Sequence, residues 1–209
     1  MTGSNKAKLK KFMLSNSFAK TFHGPAERLF IEGFMDKARG NYFVEAGACN
    51  GFHLSQTSKL EKVHGWNGLL VEGHAGLFEL LKEGKRKATK AHAVLGPGGP
   101  VIFEQKTKGM LGQSRLQSDL ISPDCIKTES KTLEQVLTEA KAPSVIDFLV
   151  LDVEESLPAV WSGVDFHRRH FDFMVIEMKK EQPEIIADIK ALGYRLAGVI
   201  NNEDFLFHK

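Results

Sequence analysis

Short apolar runs alternate along this chain with longer stretches in which apolar residues recur every three or four positions. Tyr42–Ala48, Leu69–Glu72, Val145–Val153 and Phe171–Glu177 read as buried strands, being almost continuously apolar between polar or glycine boundaries. Ala88–Leu95 is a weaker third strand, and Val101–Phe103 an extra one after the turn residues Gly96-Pro97-Gly98-Gly99-Pro100. Helical spacing covers Phe12–Lys37, with Gly40 as a stop, and Leu54–Val63. It returns in Ala75–Lys87, where Leu77, Phe78, Leu80 and Leu81 would face a sheet, and in Thr132–Lys141. Leu157–Phe166 takes Pro158 into its first turn, and Pro183–Leu192 stops at Gly193. Tyr194–Ile200 and Phe205–His208 flank Asn201-Asn202 and predict an antiparallel ending. Gln105–Asp124 shows no period and reads as a long loop of the kind that carries function. Strand and helix alternate almost throughout, which predicts an α/β fold with a mostly parallel sheet. With no repeat or linker in view, the expectation is one domain over 1–209: a basic tail and helical segment over 1–40, and a core over 41–209.

Composition narrows this picture a little. The chain has 209 residues, 42% hydrophobic and 26% charged, values of a soluble globular domain with a real core. A net charge of +2 gives no general argument for nucleic acid as a partner. No run is apolar enough to span a membrane. Lys6, Lys8, Lys10 and Lys11 are not followed by the apolar core of a signal peptide. Cys49 and Cys125 lie far apart, without metal-ligand spacing, which favours a reducing compartment and a cytoplasmic location.

The chemistry concentrates where the first strand ends. In Phe43-Val44-Glu45-Ala46-Gly47-Ala48-Cys49-Asn50-Gly51 an apolar strand reaches an acid, then Gly47 and Gly51 let the backbone turn tightly and approach a ligand. The spacing is Glu-x-Gly-x-x-x-Gly, not the Gly-x-Gly-x-x-Gly of dinucleotide binders. It points away from a pyrophosphate and towards S-adenosylmethionine. Glu72 ends the second strand, where a carboxylate accepts the ribose hydroxyls of an adenosine ligand. Glu45 has two readings that are compatible with each other: a carboxylate that holds its own glycine loop, and one that meets the ammonium of the cofactor. Asp152 and Glu154 end the strongest strand and could orient an acceptor, serve as general base or bind a divalent cation; helix capping is the plain alternative. Glu177 ends the next strand, either lining an acceptor pocket or pairing with nearby lysines. His53 and His74 each follow a loop motif and are candidates for ligand contact. His167 and His170 are three apart but lack a third ligand at a recognised spacing, so no metal site is expected. Cys49 reads as a small loop filler.

These residues resemble the FkbM-type methyltransferases. The resemblance is carried by Phe43–Gly51, by Leu54-Ser55-Gln56-Thr57, by Gly65-Trp66-Asn67-Gly68-Leu69-Leu70-Val71-Glu72, by Leu149–Glu154 and, more loosely, by the last strands; it covers about Asn41 to Lys209. It implies a Rossmann-like class I fold with a seven-stranded, mostly parallel sheet and an antiparallel C-terminal hairpin. It also implies S-adenosylmethionine as cofactor and methyl transfer to a hydroxyl oxygen, with a small molecule or glycan as acceptor. By position, Glu45, Gly47, Ala48, Asn50 and Gly51 would form the cofactor loop, Glu72, Gly73 and His74 would surround the ribose, and Asp152 and Glu154 would face the reaction. The chain departs from the family pattern at Asn50, Gly73, Glu155 and Leu157, the last two beside the expected active site. Two other readings stay open. One keeps the fold as a binding or scaffold module. The other is a nucleic-acid methyltransferase, motivated by Lys82, Lys85, Arg86, Lys87 and Lys90 with Lys106 and Lys108.

Overall fold

The computed structural model describes residues 25–106, 113–178, 182–200 and 202–209. The start of the predicted first helix, the basic tail, Lys108, Lys179, Lys180 and Asn201 lie outside them.

Two sheets organise these residues. The first has seven strands in the order β10-β11-β9-β8-β1-β2-β3. In chain order these are β1 (Tyr42–Ala46), β2 (Asn67–Glu72), β3 (Thr89–His92), β8 (Val145–Leu151), β9 (His170–Glu177), β10 (Arg195–Ile200) and β11 (Asp204–His208). β3, β2, β1, β8 and β9 run parallel, with Val44 opposite Leu69 on one side and Leu149 on the other. β11 is inserted in reverse between β9 and β10. The second sheet has the order β4-β7-β5-β6 and consists of β4 (Val94–Leu95), β5 (Gly99–Glu104), β6 (Arg115–Gln117) and β7 (Cys125–Lys131).

Alternation sets the two faces of the large sheet. Val44, Ala46, Leu69, Val71, Ile146, Leu149 and Leu151 join one buried cluster. Phe43, Leu70, Phe148, Val150, Phe173 and Val175 join the other. A strand buried on both faces needs no polar alternation, which explains the continuous apolar runs in the sequence. Asp147 is the exception inside β8. It is fully buried, and its carboxylate accepts the N–H groups of Arg39 at 2.5 Å, Gly40 at 3.1 Å and Tyr42 at 2.9 Å, fixing the entry into β1.

The helices are α1 (Pro25–Gly33), α2 (Ser58–Lys62), α3 (Ala75–Glu83), α4 (Leu133–Glu139), α5 (Leu157–Trp161) and α6 (Pro183–Ala191). Several are shorter than their apolar spacing predicts. Leu54–Thr57 is a loop rather than helix, because Glu45 draws its polar groups inward. α5 ends at Trp161 and is preceded by a 3-10 turn over Glu154–Ser156. α4 starts on a capping box, with Thr132 and Gln135 bonding each other's backbone N–H groups.

The third strand of the sequence reading is corrected. Thr89–His92 pairs with β2, whereas Val94–Leu95 leaves that sheet and pairs with β7. The predicted loop Gln105–Asp124 contains β6, and β7 follows it unforeseen.

Candidate functional site

The carboxyl ends of β1, β2 and β8 meet at one point. Ala46 is followed by Gly47, whose φ of +86° lies in the left-handed region. A Cβ there would stand 1.8 Å from the carbonyl oxygen of Asp152, so only glycine lets the β1 and β8 ends approach this closely. The N–H groups of Gly47 and Ala48 both donate to Val71 O at 3.0 Å, which tucks the loop against β2. Gly51, φ +80°, closes the turn with its N–H on Ala48 O at 2.7 Å. Asn50 Oδ1 accepts from Phe52 N at 3.0 Å and His53 N at 2.8 Å, an Asx-type turn.

Glu72 crosses from β2 to this loop. Its Oε2 accepts Cys49 N at 2.7 Å and its Oε1 accepts His74 N at 2.7 Å. Burial pushes its carboxyl up to about 7, against the lowering effect of those N–H groups. A carboxylate offers about four acceptor positions, so it retains capacity for hydroxyl donors. Glu72 borders a cavity of about 50 Å³ with Gly47, Val71 and Gly73, with Ala93, Val94 and Leu95, with Phe103 and Ser114 of the second sheet, and with Asp152, Val153 and Ser156.

Asp152 is the exposed acid of the site, and its value lies well above the usual carboxylate range. The causes are crowding by surrounding protein atoms, a hydrogen bond with Glu177, and the negative charges of Glu177, Glu154 and Asp204. Because the side chain also reaches solvent, the bond and like charges of its neighbours are the firmer reason: one proton is shared where two carboxylates would repel. Asp204, at the start of β11, is likewise raised to about 6 by burial and by Glu177 and Glu203. Oxygens of Asp152, Glu154 and Glu177 lie within 4.8 Å of one another, a grouping a hard divalent cation could use.

The structure thus gathers Gly47, Glu72, Gly73 and Asp152 around one cavity, with Glu154 and Glu177 beside it. Other expected contacts are spent inside the protein. Glu45 is buried, and its carboxylate accepts from Ser55 Oγ at 2.9 Å, Gln56 N at 2.8 Å and Thr57 Oγ1 at 2.5 Å. Of its two readings the loop-holding one is the one on display. His74 is corrected. Its Nδ1 caps α3 by accepting from Gly76 N and Leu77 N at 3.0 and 3.2 Å, and its Nε2–H donates to Lys106 O at 2.7 Å. With both ring nitrogens committed and 1% of the residue exposed, it scaffolds the loop instead of facing a ligand. Asn50, Ala48 and Gly51 shape the turn and do not border the cavity. The Cys49 thiol is pushed far up by burial and by Glu72, as suits a filler.

Arg86 leaves the basic cluster in which the sequence placed it. Its side chain is fully buried, donating to Glu61 at 3.0 Å, Gly51 O at 2.6 Å and Ser55 Oγ at 3.0 Å, with Glu45 at 4.0 Å. Phe103, Ser114 and Ser156 were missed as cavity residues. An unexpected second sheet brings the first two in, and nothing in the sequence marks Ser156.

Comparison with solved structures follows from this geometry. The crystal structure of methyltransferase FkbM from Methylobacillus flagellatus KT superposes with a TM-score of 0.52 at 12% identity, over 90% of this chain and 48% of that one. This is a methyltransferase-fold chain. It spans about half the length of the FkbM protein it matches. A human methyltransferase 10 domain-containing protein is similar at a TM-score of 0.44 and 10% identity, over 98% of this chain and 93% of that one. No family model matches the sequence, and no curated protein is similar to it. Among the described residues no helix is long and apolar enough to cross a membrane.

Proposed function

We propose that this methyltransferase-fold chain is an S-adenosylmethionine-dependent methyltransferase acting on a hydroxyl oxygen of a small molecule or sugar. The observation that carries the reading is Glu72: a carboxylate fixed by two backbone N–H groups at the carboxyl end of β2, opening onto a cavity shared with Gly47 and Asp152. The residues fit the cofactor's chemistry. Glu72 would accept ribose hydroxyls, Val71, Ala93, Leu95 and Phe103 offer an apolar wall for a base, and Gly47 borders the same cavity. When bound, the cofactor supplies a methyl group on a positively charged sulfur.

The protein's own part is to orient the acceptor and handle its proton. Asp152 would accept the hydroxyl proton, but only after losing the proton it shares with Glu177. A carboxylate surrounded by like charges is a stronger base than an isolated one once ionised, so turnover should rise with pH until Asp152 has ionised. Asp152→Ala should leave S-adenosylhomocysteine binding, measured by calorimetry, within about threefold, and lower turnover by the 10²–10⁴-fold typical of a lost general base. Undiminished turnover would remove Asp152 from the reaction.

One observation favours a second reading as a binding or scaffold module. The cavity encloses about 50 Å³, whereas pockets for drug-sized ligands span about 300–1,000 Å³. No binding of either S-adenosylmethionine or S-adenosylhomocysteine would decide for the module.

A further inference from the structure

Three lysines stand together on one flank of the molecule, where α2 meets the segment after α3. Glu61 of α2 accepts the N–H of Lys87 at 2.8 Å, and a Cβ on Gly84 would lie 3.1 Å from the ring of Phe52. The Lys62 ammonium lies 4.3 Å from the centre of that ring. Lys62, Lys85 and Lys87 are therefore neighbours, and all three are exposed.

The acids of this flank are largely spent. Glu61 is buried and pairs with Arg86 at 3.0 Å, while Glu79 takes Lys82 at 2.9 Å. From 82 to 90 the remaining acid is Glu83, set against Lys85, Lys87 and Lys90. Among the described residues no ion pair ties down Lys62, Lys85 or Lys87.

Two aliphatic side chains project beside these lysines. Val63 follows Lys62 and is 70% exposed; its N–H on Lys59 O at 2.8 Å holds it to the end of α2. Leu54, two residues after Phe52, is 55% exposed. Its φ of +53° lies in the left-handed region, where a bulky side chain is an outlier. Neither packing nor backbone conformation accounts for a leucine at that position.

We propose that this flank rests on an anionic lipid surface, with Leu54 and Val63 entering the headgroup boundary and Lys62, Lys85 and Lys87 meeting the lipid phosphates and carboxylates. Apolar tips beside long basic stems suit such a boundary, since each ammonium stays hydrated while its stem and the tips leave water. A nucleic acid fits less well. Arg86, the arginine of the cluster, is buried, and the Phe52 ring is covered by Lys62 and Gly84, which leaves no open aromatic face to stack a base. A contact of this kind needs no spanning helix, and it is independent of what the cavity takes.

Co-sedimentation of the whole chain with phosphatidylcholine vesicles, with and without phosphatidylserine, tests the proposal. Binding should require phosphatidylserine and weaken with added salt. Lys62→Gln, Lys85→Gln and Lys87→Gln should each lower it about fivefold. Leu54→Asn and Val63→Asn should each lower it about tenfold. Asparagine tolerates the left-handed backbone, so Leu54→Asn should keep the wild-type urea midpoint or raise it, which separates lost binding from lost folding. No binding to the phosphatidylserine vesicles would overturn the proposal. So would binding that none of the five variants weakens, which would place it elsewhere, as in the lysines between 6 and 11. Binding that follows the lysines but ignores both asparagine variants overturns insertion at this flank. Lysine-dependent retention of a single-stranded RNA, without vesicle binding, overturns the lipid surface in favour of nucleic acid.

Discussion

Gly47 and Glu72 show how much a single position can decide. At Gly47 the backbone is left-handed and a Cβ would collide with Asp152 O at 1.8 Å, an atom of the neighbouring strand that cannot rotate away. Gly47→Ala should therefore cost more than about 4 kcal/mol, beyond an ordinary point substitution, and show as a lost or greatly lowered urea midpoint. A midpoint near that of wild type would contradict the close approach of β1 and β8. The sequence marked Gly47 as a tight turn approaching a ligand; that the close neighbour is the chain's own Asp152 carbonyl was not legible. For Glu45 the loop-holding role was one of two legible readings, whereas the capping role of His74 was not legible. Sequence places an acid at the end of β1 and a histidine two residues after Glu72, but not which way each side chain turns. Here both turn inward, towards Thr57 and towards the α3 N-terminus.

At the scale of elements, the loop after β1 is held by a buried charge network more than by its glycines. Arg86 reaches from the segment after α3 to Glu61 of α2, to Gly51 O and to Ser55 and Thr57, while Glu45 holds Ser55, Gln56 and Thr57 from the other side. Removing one partner strands the others in a dry interior. Arg86→Ala should lose about 3–5 kcal/mol by denaturant unfolding, as for other broken buried ion pairs. A loss under about 1 kcal/mol would mean that Arg86 behaves as the surface lysines around it do. Its position in a run of lysines hid it, because sequence counts charge and not burial. The central strands were legible for the opposite reason: β1, β2, β8 and β9 are buried on both faces, and continuous apolar character follows. Of the second sheet only the Val101–Phe103 stretch of β5 was legible, since β6 and β7 carry mixed residues and make a sheet only with partners elsewhere in the chain.

For the whole molecule, buried acids tilt stability with pH. Burial raises Glu27 and Glu72 from 4.5 to about 7, and Asp204 from 3.8 to about 6. A raised acid favours the folded state most when protonated, so its contribution is complete below the ordinary value and is lost as pH rises through the folded one. His53 and His74, lowered by burial from 6.5, act in the opposite sense, gaining as pH rises, but their gain is fading at that ordinary value and is spent about one pH unit above it. From about pH 6.5 to 8 the carboxyls outweigh them, and the urea midpoint should fall across that window. A level or rising midpoint would show that these carboxyls keep ordinary values in the fold.

One residue, Ala93, separates β3 from β4, although those strands belong to different sheets. Val94 and Leu95 just beyond it face the cavity. Chain length is therefore frozen at this crossing. An inserted residue would move Val94 and Leu95 out of register with Ser130 and Lys131 of β7 or out of the cavity wall, whatever its identity. Descendants of this chain can vary the composition of Ala93 more freely than its number, and an insertion or deletion at that point should be among the rarest changes that leave the cavity intact.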